Sequence, residues 1–220
     1  MKFGLYTERK KSRYVFFEIC NHVLYNKEYL HKILELPATL NLQFNNFTTI
    51  DLAWDNSVNY PSIIKKLMRN KSIDTILNGK VVADRKKLLN EILFHYGTTL
   101  DALKYLSITI KQKIERDDKG VAIQAYNKMA EIMNSSGKQY ICDFHGDPKR
   151  LYRLEVRLPY QNLYDYFKKK KKSFTVDENL IFNQQVLQDL FFTHLFSVIR
   201  FRKGRKVFDW KELIMNNGRV

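Results

Sequence analysis

Tyr126 and Lys128, in the run Val121-Ala-Ile-Gln-Ala-Tyr-Asn-Lys-Met-Ala-Glu131, are the residues whose types and spacing most readily do chemistry. Val121, Ile123 and Ala125 alternate with Gln124, Tyr126 and Lys128. That pattern predicts a buried strand presenting a tyrosine and a lysine on one face before a helix begins. A phenol beside a cation can attack a phosphodiester and hold the broken strand covalently. Its free pKa of about 10 makes it a poor nucleophile, so a positive charge or a metal has to stabilise the phenolate. Tyr-X-Lys also occurs on ordinary half-buried strands, and the pattern alone favours that plainer reading.

Two further strands carry carboxylates. In Thr49-Ile-Asp-Leu-Ala-Trp-Asp55, Asp51, Ala53 and Asp55 face one way and Ile50, Leu52 and Trp54 the other. Aspartate is disfavoured in strands, and two on one face repel unless a cation sits between them. In Leu151-Tyr-Arg-Leu-Glu-Val-Arg-Leu158, Arg153, Glu155 and Arg157 share the face opposite the apolar residues. A solvated antiparallel strand accounts for that second pattern equally well. Carboxylates on neighbouring strands suit a hard divalent ion, magnesium or manganese, with Asp51, Asp55 and Glu155 as candidate ligands.

In order and spacing, Ile50-Asp-Leu-Ala-Trp-Asp55, Tyr126-Asn-Lys128 with Glu131, and Tyr152-Arg-Leu-Glu-Val-Arg-Leu158 resemble the Rep-trans family of rolling-circle plasmid replication initiators and related relaxases of integrative elements. Tyr14-Val-Phe-Phe-Glu18-Ile is similar to an upstream family strand that also presents a glutamate. His95-Tyr-Gly97 with Tyr105-Leu-Ser-Ile-Thr-Ile110 resembles the turn and strand before the family's tyrosine strand. The resemblance covers about residues 1 to 165. It implies a DNA nicking-closing enzyme whose tyrosine, here Tyr126, becomes joined to the 5′ end, with Lys128 beside it. It also implies Mg2+ or Mn2+ held by Asp51 or Asp55 and Glu155, with Glu18 a further ligand. The partners it implies are a single-stranded or hairpin DNA origin, a host helicase and a polymerase. Two departures stand out. Gln124 occupies the place of a family arginine, weakening that DNA contact, and the family's long N-terminal region has no counterpart, so the chain reads as a minimal version.

The 220 residues hold 38 Lys+Arg against 23 Asp+Glu, a net charge of +15 that draws phosphate backbones. Candidate DNA contacts are Arg153, Arg157, Gln124, the helix cations Lys65, Lys66 and Arg69, and Lys169 and Lys170 within the Lys168–Lys172 run. For the run, a solvated loop is the competing reading. Arg200, Arg202, Lys203, Arg205 and Lys206 form a second cluster. Cys20 and Cys142 lack metal spacing and read as reduced thiols, and the N-terminus lacks a signal-peptide core, so the expected location is cytoplasmic. The five histidines never take metal-site spacing.

The fold expected is α+β: a mixed, mainly antiparallel central sheet with helices on one face, like an endonuclease Rep domain. The nicking domain spans residues 1–160, and a C-terminal helical segment, 161–220, packs on it or is appended to it. Strands are expected at 3–7, 14–20, 47–55, 105–113 and 120–128, and a turn with a strand near 76–82. Residues 140–144 and 151–158 are expected to form a hairpin. Helices are expected at 26–34, ending before Pro37, from Pro61, at 129–134 and 161–167, and across Glu178–Phe201. The apolar stripe of the last helix predicts core packing, with a homodimer contact as runner-up and a membrane as a distant third. A noncatalytic nucleic-acid-binding sheet is the competing function.

Overall fold

A strand alternates apolar and polar residues and a helix repeats every three to four, and both periods are visible along the chain in the computed structural model, which describes residues 2–7, 13–83, 92–98, 104–111, 120–169, 180 and 182–215. The order is β1 (Lys2–Thr7), β2 (Arg13–Glu18), α1 (Asn21–Leu24), α2 (Lys27–Thr39), β3 (Thr49–Asn56), α3 (Tyr60–Arg69), β4 (Asp74–Leu77), β5 (Lys80–Val81), β6 (Ile92–Thr98), β7 (Lys104–Lys111), β8 (Ala122–Asn127) and α4 (Lys128–Glu131). A π-helical turn, Ile132–Ser136, follows. Then come α5 (Gln139–Phe144), β9 (Tyr152–Pro159), α6 (Tyr160–Lys169), α7 (Gln184–Val198), β10 (Ile199–Lys203), β11 (Lys206–Val207) and α8 (Trp210–Met215).

The chain divides into two compact units. One unit is Met1–Phe44 with Lys138–Asp147; the other is Asn45–Gly137 with Pro148–Val220. The smaller unit contains the antiparallel β1–β2 hairpin and three helices, with Tyr25 edge-on to both Tyr140 and Phe144. Its two cysteines are unbridged. In α2 the helix runs through Pro37 instead of stopping before it. Pro37 lies in the last turn, where a missing N–H and a lost carbonyl partner cost only one helical hydrogen bond.

In the larger unit a five-stranded sheet has the order β3-β9-β8-β7-β6, and a four-stranded sheet the order β11-β10-β4-β5. Every strand pair among the described residues is antiparallel, so the mixed sheet expected is replaced by antiparallel ladders. On the apolar face of the larger sheet Leu52, Val156, Ile123 and Ile110 form one row and Leu154, Ala125 and Ile108 another. All are buried, and α3, α6 and α7 pack over them with Ile64, Leu67, Leu163, Phe167, Leu190 and Leu195. Each such side chain contributes roughly 1.5–3 kcal/mol by leaving water. The α+β class and the placing of helices on one face of this sheet are thus as expected.

Local signals explain several elements. Asn59 caps α3 by accepting a hydrogen bond from the Ser62 amide at 3.1 Å, with Pro61 in the first turn. Asn78 and Gly79 both have positive φ, 49° and 80°, the backbone that a two-residue hairpin turn between β4 and β5 requires. Elsewhere the structure departs from the expectation. Tyr140–Phe144 is helical and does not pair with residues 151–158. Both edges of β9 are taken, by β3 and β8, so no ladder is open to it. The long C-terminal helix stops at Val198, where Ile199 turns extended (φ −138°, ψ 132°) and β10 pairs with β4. Residues 84–91, the turn at 112–119 and most of the lysine run lie outside the described residues.

The stripe of α7 is core: Leu190, Phe191, Leu195 and Val198 are buried. Among the described residues no helix is long and apolar enough to cross a membrane. His194 on α7 lies 6.0 Å from the Tyr166 ring of α6, and its buried Nε2 has no hydrogen-bond partner among the described residues. Burial, helped by the charge of Lys169, pushes its pKa down from 6.5 to about 4. With the folded pKa below the unfolded one, the unfolded chain takes up the proton first, so stability is full above pH 6.5 and drains away as pH falls toward 4. His194→Leu should flatten that decline, making the variant the more stable protein at pH 4.5 by roughly 1–3 kcal/mol. Chemical denaturation of both proteins at pH 7.5 and 4.5 reads the difference directly.

Candidate functional site

The other face of the five-stranded sheet is a ladder of charges in register. Across β3 and β9, Asp51 stands opposite Arg157, Ala53 opposite Glu155 and Asp55 opposite Arg153. On β8 the rows continue through Ala122, Gln124 and Tyr126. Arg153 forks onto both oxygens of Asp55, from Nε at 2.7 Å and Nη2 at 2.5 Å. Arg157 does the same to Asp51 at 2.8 and 2.7 Å. Burial separates the pairs: the Arg153 and Asp55 side chains are 5% and 6% exposed, those of Arg157 and Asp51 55% and 40%.

These pairs correct one expectation and answer another. The Arg-Glu-Arg face is not a solvated surface at Arg153, which is buried. The cation that two aspartates on one face require is a guanidinium from the neighbouring strand. Each aspartate gives both of its oxygens to an arginine of the neighbouring strand. Among the described residues no group of three or more His, Cys, Asp or Glu is arranged to hold a metal ion. Glu155 faces the Tyr126 hydroxyl and lies 3.9 Å from Arg153. Glu18, at the end of β2, is exposed and belongs to the other compact unit.

Tyr126 lies at the centre of the buried half of the ladder. Its hydroxyl donates to Oε2 of Glu155 at 3.4 Å. That is long for an O–H···O bond, although catalytic hydrogen bonds are often long before a substrate is bound. Burial, then the Glu155 charge, raise the phenol's pKa, with Arg153 opposing them. Burial, then Asp51, likewise raise that of Glu155 against the pull of Arg153, Arg157 and Lys128. The resting site thus holds a neutral phenol beside a carboxylate more basic than usual.

Lys128 is not where strand alternation puts it. It opens α4, whose N-cap is Asn127, accepting from the Ala130 amide at 2.9 Å. Its buried ammonium pairs with Glu131 at 2.5 Å and sits 5.7 Å from the centroid of the Tyr126 ring. Glu131 is therefore the counter-ion of Lys128, and capping the turn falls to Asn127. The Lys128 cation approaches the ring face, while Glu155 and the Arg153 guanidinium both reach the hydroxyl. Burial and the Glu155 charge outweigh Arg153, so the resting phenol is neutral.

The other candidate DNA ligands scatter. Gln124 lies in the row of Glu155, on the face of Tyr126. Lys65, Lys66 and Arg69 ride on α3, on the opposite side of the sheet, and Lys169 ends α6, also on that side. Lys170 lies outside the described residues. The resembling pair of segments at 95–97 and 105–110 falls on the β6–β7 hairpin, with Gly97 opposite Tyr105. The feature missed was the pairing of Asp-X-Ala-X-Asp with Arg-X-Glu-X-Arg, two complementary period-two patterns that match charge for charge once the strands are antiparallel neighbours. No protein-family model, curated protein or solved structure matches the chain.

The raised pKa of Glu155 has a measurable consequence. Its folded state holds the proton more tightly than the unfolded chain, so this group's contribution to stability is full below the ordinary glutamate range and is lost as pH rises through the folded pKa. Glu155→Gln should remove that loss, making the variant the more stable protein at pH 8 but not at pH 4. Thermal unfolding across that range tests it, and equal pH slopes in both proteins would show that Glu155 is not perturbed.

Proposed function

We propose that this protein nicks and rejoins single-stranded DNA through Tyr126, as the resemblance to Rep-trans replication initiators implies. The observation that carries the reading is the contact between the Tyr126 hydroxyl and Glu155, inside a partly buried cage that also holds Arg153 and Lys128. In the proposed step the Tyr126 oxygen attacks a phosphodiester phosphorus and its proton passes to Glu155. The bond from phosphorus to the 3′ oxygen breaks, and that oxygen leaves as a 3′-OH after protonation. The product is a 5′-phosphotyrosine, and the reverse step reseals the strand. A neutral phenol needs a base at the moment of attack, and a carboxylate with a raised pKa is matched to that task. The cations of Arg153 and Lys128 lower the energy of charge developing on the phosphoryl oxygens. Magnesium or manganese would be held by Glu155 with Asp51 or Asp55 and would polarise a non-bridging phosphate oxygen.

One observation favours a second reading. With Asp51 and Asp55 neutralised by arginine, the polar face no longer repels phosphate, so a noncatalytic nucleic-acid-binding sheet is electrostatically admissible. An adduct assay separates the two. Protein and labelled single-stranded DNA tiling the surrounding genetic element are incubated with and without manganese, then run on a denaturing gel. A shifted, protein-linked band supports the nicking reading; DNA binding with no band on any tile supports the binding sheet. Replication initiation and conjugative mobilisation share this chemistry and give the same band.

A further inference from the structure

The basic cluster near the C-terminus is separate from the Tyr126 site and is built differently. Ile199–Lys211 contains six Lys or Arg and one carboxylate, Asp209. Its first half is the β10–β11 hairpin at the edge of the four-stranded sheet: β10 pairs with β4 on one side, and on the other Arg202 pairs with Val207 and Lys203 with Lys206, around a two-residue turn with Gly204 at φ 59°. Period-two alternation sends Ile199 and Phe201 into the core and leaves Arg200 and Arg202 on the outer face. The hairpin is held from beneath. The Trp210 indole N–H donates to the Ile199 carbonyl at 2.8 Å, the Phe208 amide donates to the Phe201 carbonyl at 2.9 Å, and the Phe201 and Trp210 rings lie 6.0 Å apart.

The cations on this frame fall into two groups. Arg202 forks onto one oxygen of Asp74, and Arg200 stacks 5.0 Å above the Phe196 ring, so both are held in place. Lys203, Arg205 and Lys206 at the tip are exposed, and none has an ion-pair partner among the described residues. A protein gains nothing in stability from clustering three unpaired cations at a rigid tip, where they repel one another. They fit an external polyanion. Free phosphate would not need a hairpin, whereas the two-stranded tip Lys203–Lys206, beyond the last pairing with β4, has the width the DNA major groove admits and can carry cations to phosphates on both of its walls.

We infer that the β10–β11 hairpin is a second DNA-binding surface, taking the phosphate backbone of duplex DNA through Lys203, Arg205 and Lys206. It rests on the proposed function only in the choice of DNA as the polyanion, and it needs no chemistry at Tyr126. The hairpin would hold the double-stranded part of a DNA whose single-stranded part is cut elsewhere on the protein.

The test uses the full chain carrying Lys203→Ala, Arg205→Ala and Lys206→Ala together. These side chains are exposed and make no core contact, so thermal unfolding should not change, and that scan is run alongside. Affinity for a mixed-sequence duplex is measured by fluorescence anisotropy from 50 to 250 mM salt. The expected result is an affinity at least tenfold lower at 100 mM. The slope of log affinity against log salt should be shallower by about 2 to 3, since each lost phosphate contact contributes about 0.9. Adduct formation on a short single strand should be unchanged. Unchanged duplex affinity and slope overturn the inference. So does a loss seen only on vesicles of anionic phospholipid, which would make the hairpin a membrane contact. If the native chain forms no adduct on any strand but the triple variant still loses duplex binding, the nicking reading fails and the hairpin stands.

Discussion

Tyr126→Phe protein should form no covalent product with single-stranded DNA under conditions in which the native chain does, and should bind the same strand with nearly unchanged affinity. The substitution removes one oxygen, and that oxygen is the proposed nucleophile. Nothing else in the cage moves far: Arg153 stays forked onto Asp55 and Lys128 stays paired with Glu131. The structural losses are the long contact with Glu155 and the hydrogen bond with Arg153, each worth about 1 kcal/mol. Glu155→Gln supplies the second half of the argument. If Glu155 takes the phenolic proton, the amide variant keeps the nucleophile and loses adduct formation by a factor on the order of 100 or more. Denaturing gels of native, Tyr126→Phe and Glu155→Gln proteins on one labelled strand decide it. An adduct at native level in the phenylalanine variant removes Tyr126 from the chemistry. Full activity in the glutamine variant would leave Tyr126 in place and strip Glu155 of its role as base.

Arg153→Ala should lower the free energy of unfolding by about 3–5 kcal/mol, while Arg157→Ala, one repeat along the same strand, should lower it by less than about 1 kcal/mol. The two arginines make the same forked contact, so the difference isolates burial. Removing Arg153 leaves the Asp55 carboxylate without its counter-ion at 6% exposure, where water cannot replace the guanidinium. Removing Arg157 leaves Asp51 at 40% exposure, where water can. The double variant Asp55→Leu with Arg153→Met should recover most of the loss, because an apolar pair of similar volume avoids the desolvation that the ions suffer. Urea unfolding at pH 7 measures all four proteins, with the slope of the transition checked for constancy. Equal costs for the two arginines would mean that the Asp55 site is wetter than its exposure indicates.

What was legible in the sequence came from short periods. Alternation over 49–55, 121–128 and 151–158 placed three strands and their faces, because a strand's side chains can only point two ways. Asn59-Tyr-Pro61 announced α3 and Asn78-Gly79 a hairpin turn, because those residues have few backbone options. Where the reading failed, the deciding contact was distant. Tyr140–Phe144 has strand-like residues and became a helix, since β9 already had a partner on each edge. Ile199 to Phe201 ended the expected apolar helix and became a strand, since β4, more than 120 residues earlier, offered a ladder.

The same division runs through the site. By itself the sequence determined that Tyr126, Glu155, Asp51 and Asp55 stand on the polar sides of their strands, and that the chain carries a large positive charge. Only the tertiary structure decided what each of them touches. The register of β3 against β9 set each of the two aspartates opposite an arginine. The start of α4 at Lys128 moved that lysine from beside the hydroxyl to the face of the ring, and the packing of α3 put its cations on the other side of the sheet. Alternation along one strand is a local property of backbone geometry. Which charge meets which is set by register between strands far apart in the chain, and a shift of a single residue would reassign every pair.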